Sequence, residues 1–289
     1  MATVDIAAAG TADSAPAAPP RRRGSGLITS ATWLIGVFFF FPVAWMVITA
    51  FKHEADATTD PPRLIFEPTL EQFRNLFDAG AGPYFLNSLM ATGVSTLLVL
   101  ALAVPAAYAL AIRPVKRTQD VLFFFISTKM LPVVAVIVPI YVIAGRVNML
   151  DNVWTLIVLY TAMNLPIAVW MMRSFLQEIP REVLEASEMD GATLRQTLTQ
   201  VLLPMVAPGL AATALICVIF SWNEFFFAVN LTASTAATVP LFLVGFMTSE
   251  GLFWAQMAAA ATLASLPVVL AGWAAQKQLV RGLSMGAIK

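Results

Sequence analysis

Six stretches of this 289-residue chain stay apolar for about 20 residues or more, at 27–51, 88–112, 121–143, 153–172, 205–231 and 253–275. A helix needs about 20 such residues to cross roughly 30 Å of hydrocarbon, so lipid is the solvent that suits this sequence. None of the runs alternates over about ten residues, as a barrel strand would, which selects helices. Charged residues make up 12% of the chain, half the ~25% of a soluble domain, while 59% is hydrophobic. The expected fold class is an all-α membrane protein with six transmembrane helices. Pro132 and Pro139 fall inside the third run and Pro267 inside the sixth. Neighbouring groups can satisfy the carbonyls that a proline frees, so each run is expected to remain one span.

The same composition excludes several functions. Net charge is zero, which offers nucleic acid no basic face. The single cysteine, Cys217, rules out an intramolecular disulfide and a cysteine metal cluster. His53 is the only histidine and lies outside the runs, so a His-dependent catalytic group inside the membrane is excluded. No G-x-x-x-x-G-K-[ST] phosphate loop occurs, so the chain cannot power itself with ATP. Residues 1–26 are rich in Ala and Pro and close with Arg21, Arg22 and Arg23; they are expected to form a disordered tail. The apolar run that follows is too long for a signal peptide, whose apolar core spans about 7–15 residues. Domains are expected at 1–26 (tail), 27–275 (membrane domain) and 276–289 (second tail).

Lysine and arginine set the orientation. Arg21–Arg23 precede the first span, and Arg113, Lys116 and Arg117 join the second to the third. Arg173, Arg181 and Arg195 flank or lie in the fourth connection, and Lys277, Arg281 and Lys289 follow the last span. The other side carries only Lys52, Arg63, Arg74 and Arg146. Both termini and the connection at 180–204 are therefore expected in the cytoplasm.

That connection is unusually polar: "LEASEMDGATLRQTLTQVLLP" spans 184–204. Pro180 suits the first position of a helix over "REVLEASEMD". Gly191 suits a left-handed helix end, and Thr193 with Gln196 reads as a capping box opening a second helix. A helix, sharp turn, helix hairpin is expected, with Val183, Leu184 and Met189 packed inward and Glu182, Glu185 and Asp190 partly exposed. From pattern alone it is either a solvated connector or a docking surface.

Glu185, Ala186, Gly191, Leu203 and Pro204 stand at the spacing E-A-A-x3-G-x9-I-x-L-P, with Ser187 for the second alanine and Val201 for the isoleucine. This stretch resembles the EAA loop of binding-protein-dependent ABC importer permeases. "PTLEQFRNLF", "FLNSL", "MLPVVAVIVPIYVI" and "SWNEFFFAV" resemble carbohydrate permeases of the maltose-transporter G-subunit type. "STKMLP", "SWNEFFFAVNLT", "GLFWAQMAAA" and "QKQLVRGLSMGAIK" look most like the sorbitol/mannitol, or polyol, members. The resemblance implies a type I ABC importer permease fold in a bacterial inner membrane. It implies a second homologous permease, two ATPase subunits that bind ATP and Mg, and an extracytoplasmic solute-binding protein as partners. It implies a permease subunit rather than an enzyme, with no cofactor or metal of its own. Glu185, Ala186, Ser187, Asp190, Gly191 and Ala192 are then the ATPase-coupling residues. Arg281, Gly282, Ser284 and Gly286 are the ATPase-contacting tail. The segment "LTASTAATVPLFLVGFMTSEG" corresponds in position to the loop that reaches into the binding protein.

Lys129 and Glu224 are the ionisable residues inside the runs, and such groups are functional candidates by default. At 1.5 Å per residue they lie roughly 15 Å apart in depth, which argues against pairing. Lys129 is expected to snorkel or to reach carbonyls freed by Pro132. Trp222, Asn223 and Glu224 combine a flat apolar surface with hydrogen-bonding groups, the chemistry a polyhydroxy solute needs. Helical spacing keeps all three from facing one way. Asn223 or Glu224 facing a pathway, or bonding between helices, are the two alternatives, with Asn164 as a further candidate. An ion-coupled secondary transporter is the rival class. It should show an internal repeat and a cluster of intramembrane acids, and neither is evident.

Overall fold

Apolar runs set the frame of the protein, and prolines decide where it bends. The structure is a computed structural model that describes residues 26–113, 116–248 and 251–286. The helices are α1 (Gly26–Ala50), α2 (Glu54–Ala57), α3 (Glu71–Asp78), α4 (Ala81–Ala111), α5 (Thr118–Met130), α6 (Val133–Arg146) and α7 (Val153–Gln177). Then follow α8 (Arg181–Met189), α9 (Leu194–Gln196), a π-helical stretch Thr197–Leu202, α10 (Leu203–Met205), α11 (Ala207–Trp222), α12 (Phe226–Leu231), α13 (Val239–Val244) and α14 (Trp254–Gly286). Strands β1 (Met247–Thr248) and β2 (Gly251–Leu252) form a small antiparallel pair before α14. All other regular structure among the described residues is helical. The expected tail 1–26 lies, but for Gly26, outside the described residues.

Among the described residues, four helices (α1, α4, α7 and α14) are long and apolar enough to cross a membrane unbroken, and two bent pairs bring the number to six when each pair is counted as one span. The third run breaks between α5 and α6 with an 89° bend, which corrects the expectation of one continuous span. Pro132 caps α6 with extended backbone, and Leu131 before it is extended too, as a residue preceding proline prefers. The fifth run also departs from a single helix. An 81° bend at Val206 separates the hairpin side from α11, bracketed by Pro204 and Pro208. The run then stops at Asn223 and restarts as α12. At the C-terminus, α14 continues to Gly286, so the segment expected as a tail from 276 begins as helix.

Of the described residues, those from 26 to Ala44 form a unit of their own, in which the apolar side chains of α1, such as Trp33 and Phe38, are exposed. In the second unit, α4 and α7 run parallel in close contact. Ala91 packs with Ile157 and Tyr160 at one end, and Tyr108 with Met172 and Leu176 at the other. α11 and α14 close this bundle. Lipid is as apolar as a leucine, so packing and polar contacts must hold such helices together. A polar seam does so at its centre. Asn164 is fully buried and donates to Ser221 Oγ at 2.9 Å and to the Tyr160 carbonyl at 3.0 Å, and Ser221 Oγ lies 3.4 Å from Ser95 Oγ. One seam thus joins α7, α11 and α4.

Two side-chain donors cross to carbonyls beside prolines. Lys129 Nζ on α5 donates to the Met163 carbonyl at 2.8 Å, and Trp222 Nε1 on α11 to the Ala264 carbonyl at 3.0 Å. Each carbonyl lies three residues before a proline, Pro166 in α7 and Pro267 in α14. A proline ring opens the preceding turn and leaves its carbonyls for outside donors. Lys129 therefore serves α7 rather than the carbonyls next to Pro132. No Lys129–Glu224 ion pair is present among the described residues. Trp222→Phe keeps the ring and deletes the donor; it is expected to cost about 1 kcal/mol. Thermal unfolding in detergent should then fall by about 3 °C. An unchanged midpoint would show that the Ala264 carbonyl needs no partner.

Candidate functional site

The polar hairpin forms as its sequence dictates. α8 starts after Pro180 and ends at Asp190, where Gly191 takes a φ of 71°. The Gly191 N–H donates to the Glu188 carbonyl and the Ala192 N–H to the Ser187 carbonyl, both at 3.0 Å. This pair of bonds is the Schellman ending of a helix, which needs a left-handed residue at the position of Gly191. The capping box is complete: Gln196 N–H donates to Thr193 Oγ1 at 3.4 Å, and Thr193 N–H to Gln196 Oε1 at 2.9 Å. Two independent local signals thus fix the turn.

α8 leans on the ends of α4 and α7. Leu184, Leu198 and Ile179 pack against the cluster of Tyr108, Met172, Leu176 and Leu202. A groove of about 510 Å³ lies between hairpin and bundle. Arg113 spans its rim to Glu188 at 3.1 Å, but both side chains are about two-thirds exposed, so the pair contributes little. Val183 and Leu184 turn partly inward as expected. Met189 does not: it is 88% exposed. The inner face is set by Leu184 and Ser187, and Met189 lies 200° beyond Ser187 at 100° per residue, on the face of Glu182, Glu185 and Ala186. That outer face is a strip of acid, small residue and methionine one helix wide. Of the six coupling residues, Glu185, Ala186, Asp190 and Gly191 are exposed and Ala192 is half-buried. Ser187 is buried, its hydroxyl donating to the Leu184 carbonyl at 2.8 Å. Its smallness lets α8 approach its own bundle.

The four pathway candidates separate. Trp222 is buried against α14. Asn223 is exposed, its amide donating to the Ile219 carbonyl at 2.8 Å, and it borders a groove of about 370 Å³ with Pro240, Leu243 and Ser265. Glu224 reaches forward along the chain, where its carboxylate accepts the N–H of Phe227 at 2.9 Å and of Ala228 at 3.4 Å and so caps α12. The Tyr160 hydroxyl comes up to this carboxylate, short of hydrogen-bond geometry. Asn164 belongs to the central seam. Arg281, Gly282, Ser284 and Gly286 lie on the last turns of α14, with side chains outside the described residues. Among the described residues, no group of three His, Cys, Asp or Glu could hold a metal ion.

At the end opposite the hairpin, two residues to which the sequence assigned no role act at long range. Glu54 accepts the N–H of Ala255 at 3.1 Å and of Gln256 at 3.3 Å and so caps α14. Asp151, in the α6–α7 connection, collects the backbone of 233–236. Partial burial alone would raise its carboxyl, but the N–H groups of Ala233, Ala236, Thr235 and Ser234 hold it well below the usual carboxylate range. The signal available was an Asp-Asn pair before a helix, and it was satisfied locally: Asn152 caps α7 by accepting from Trp154 N at 2.9 Å.

Apolar helices broken at prolines, a polar seam between them and a stiff polar hairpin at one end make this a helical membrane-spanning protein. The chain belongs to the family described as binding-protein-dependent transport system inner membrane component, which matches residues 102–285. It is 42% identical over 265 residues to the probable ABC transporter permease protein y4oR of Sinorhizobium fredii, covering 91% of this chain and 95% of that one. It is 32% identical over 268 residues to the diacetylchitobiose uptake system permease protein DasC of Streptomyces coelicolor, again over 91% and 95%. Its fold matches a chain of a bacterial ABC transporter involved in the import of the acidic polysaccharide alginate. The TM-score is 0.72 at 20% identity, over 92% of this chain and all of that one. The type I ABC importer permease fold expected from the motifs is the fold present.

Proposed function

We propose that this chain is one of two permease subunits in an ATP-driven importer for a carbohydrate, and that ATPase subunits grip its hairpin at 180–204. The observation that carries the reading is the hairpin itself. A short helix ends in a doubly bonded glycine turn and presents Glu182, Glu185, Ala186 and Met189 on one exposed face. A solvated connector requires neither the turn nor the strip. In this reading both termini and the hairpin face the cytoplasm of a bacterial inner membrane, as the lysines and arginines direct. ATP and Mg bind the ATPase partners, and an extracytoplasmic solute-binding protein delivers the solute to the opposite end. Asn223 is the pathway residue, being the exposed polar member of its cluster.

Our narrower reading of the solute is a sugar alcohol, sorbitol or mannitol, on the strength of "SWNEFFFAVNLT" and "QKQLVRGLSMGAIK". A disaccharide is the alternative, since DasC is named for diacetylchitobiose. Uptake into vesicles holding the complex, its ATPase and ATP, with a loaded binding protein outside, tests both. Mannitol or sorbitol uptake that stops without ATP is the expected result. Disaccharide uptake instead would replace the solute and keep the importer. Uptake driven by an ion gradient without ATP would end the importer reading.

A further inference from the structure

The connection between α12 and α13 carries a built turn that the coupling hairpin does not account for. Four successive amides, those of Ala233, Ser234, Thr235 and Ala236, converge on one carboxylate. Asp151 Oδ1 accepts from Ala233 N at 2.9 Å and Ala236 N at 3.0 Å, and Oδ2 from Thr235 N at 3.0 Å and Ser234 N at 3.2 Å. Converging backbone amides make an anion-binding nest, and here the anion comes from 82 to 85 residues earlier in the same chain. The Asp151 N–H in turn donates to the Leu231 carbonyl at 2.8 Å. Asp151 itself stands at a φ of 51°, a backbone state uncommon outside glycine but tolerated by Asp.

Two further pins come from α4. The Asn87 side-chain amide donates to the Thr235 carbonyl at 2.8 Å and the Ala237 carbonyl at 3.0 Å, and Ser88 Oγ accepts the Val239 N–H at 2.8 Å. Residues 236–239 are buried, whereas Ala233, Ser234 and Thr235 form an exposed tip. Every backbone donor of that tip is turned inward. The Ser234 hydroxyl also donates to Asp151 Oδ2 at 3.4 Å, which leaves a small-residue tip on a turn that cannot change shape without breaking charge-assisted bonds.

We propose that Asp151 is a positioning residue that holds Ala233–Ala236 in the shape the extracytoplasmic solute-binding protein engages. The inference rests on the importer reading and adds to it a cause for the loop's shape. A loop ordered before docking avoids the entropy cost of ordering during it, so the clamp raises affinity without touching the partner. It also ties the α6–α7 connection and α4 to the docking point, so that motion of these helices and of the tip is shared.

The test uses the reconstituted complex and its binding protein. Asp151→Asn and Asn87→Ala are expected to raise the half-saturating concentration of loaded binding protein in ATPase stimulation. A rise of roughly tenfold corresponds to one charge-assisted hydrogen bond. Basal and maximal hydrolysis should be unchanged, amide exchange at 233–236 should rise, and Asp151→Glu, which keeps the anion, should recover part of the loss. Faster amide exchange with an unchanged half-saturation overturns the proposal, because loop shape would then not matter to the partner. Unchanged amide exchange overturns it by removing the clamp. Parallel loss of basal hydrolysis and assembly overturns it by making Asp151 a folding residue. Absence of stimulation in the wild type would instead end the importer reading, and this inference with it.

Discussion

Glu185→Arg combined with Gly191→Pro is expected to reduce ATP hydrolysis stimulated by the binding protein to the basal rate, while the membrane spans still assemble. The proline acts on the turn by three routes. It fixes φ near −65°, against the 71° that Gly191 adopts. It removes the N–H that donates to the Glu188 carbonyl. It also pushes Asp190 out of the helical conformation in which that residue closes α8. None of this reaches the bundle, because no atom comes within 4 Å of where a side chain at Gly191 would begin. The defect is therefore conformational and local. Glu185→Arg reverses the charge at the centre of the exposed face, so a partner matched to acid would be repelled. A graded series separates the causes. Gly191→Asn tolerates a left-handed backbone and should retain coupling, whereas Gly191→Ala costs about 1–2 kcal/mol at such a φ and should weaken it. Full stimulation in the double variant would show the hairpin to be a connector.

How much of this was legible depends on the range of each interaction. The hairpin could be read residue by residue because its determinants are local. Pro180, Gly191 and the Thr193–Gln196 box each act within four positions; the structure realises the glycine turn and the capping box and places Pro180 one residue before the helix, as its extended N-cap. Met189 was misread because a methionine in an amphipathic helix suggests core, yet Leu184 and Ser187 had already fixed the inner face. The pathway cluster was legible only as a set. Spacing showed that Trp222, Asn223 and Glu224 must diverge, but the Ala264 carbonyl that takes Trp222 lies 42 residues away. Asp151 and Glu54 were missed for the same reason: their partners are 82 to 202 residues distant, and the Asp-Asn pair at 151–152 was accounted for locally by the Asn152 cap.

The spans show the same division. Their number followed from hydropathy, since crossing hydrocarbon imposes a length on each run. Their breaks did not, because a proline inside an apolar run can be absorbed or can end the helix. Pro267 is absorbed, with Trp222 supplying a donor to the opened turn. Pro132 ends α5, and an 89° bend follows. Which outcome prevails depends on whether a neighbouring helix brings a donor or a space, and one chain segment does not contain that information. Lys129 is instructive here: the sequence offered it snorkelling or the carbonyls freed by Pro132 in its own run, and the fold gave it to the turn before Pro166 in the next.

Gly209→Val is expected to be the most damaging single substitution in the bundle. Gly209 lies in the first turns of α11, just past the 81° bend, and is buried against the Phe175 ring of α7. A Cβ added there would overlap the ring at Cγ and both Cδ atoms. The obstruction is the body of an aromatic side chain packed in the cluster that supports the hairpin, so the helices must part or the ring must leave its site. Overpacking of this kind costs about 1–3 kcal/mol for extra methylenes, and valine adds two methyl groups to the first clash. A loss of at least about 3 kcal/mol is expected, read as a fall of roughly 10 °C in the detergent unfolding midpoint. Gly209→Ala should fall part of the way. Combining it with Phe175→Ala should cost less than the two losses added, by about 0.5–3 kcal/mol, because the second change removes what the first collides with. Strict additivity would place the damage elsewhere. The contact also has a functional position in the importer we propose: there, force arriving through the hairpin would enter the bundle at this bend, and a glycine in direct contact with a ring would transmit it without slack. Gly209→Ala with Phe175→Leu, even where stable, should therefore show weakened coupling of ATP hydrolysis to transport, and full coupling in that variant would confine Gly209 to packing.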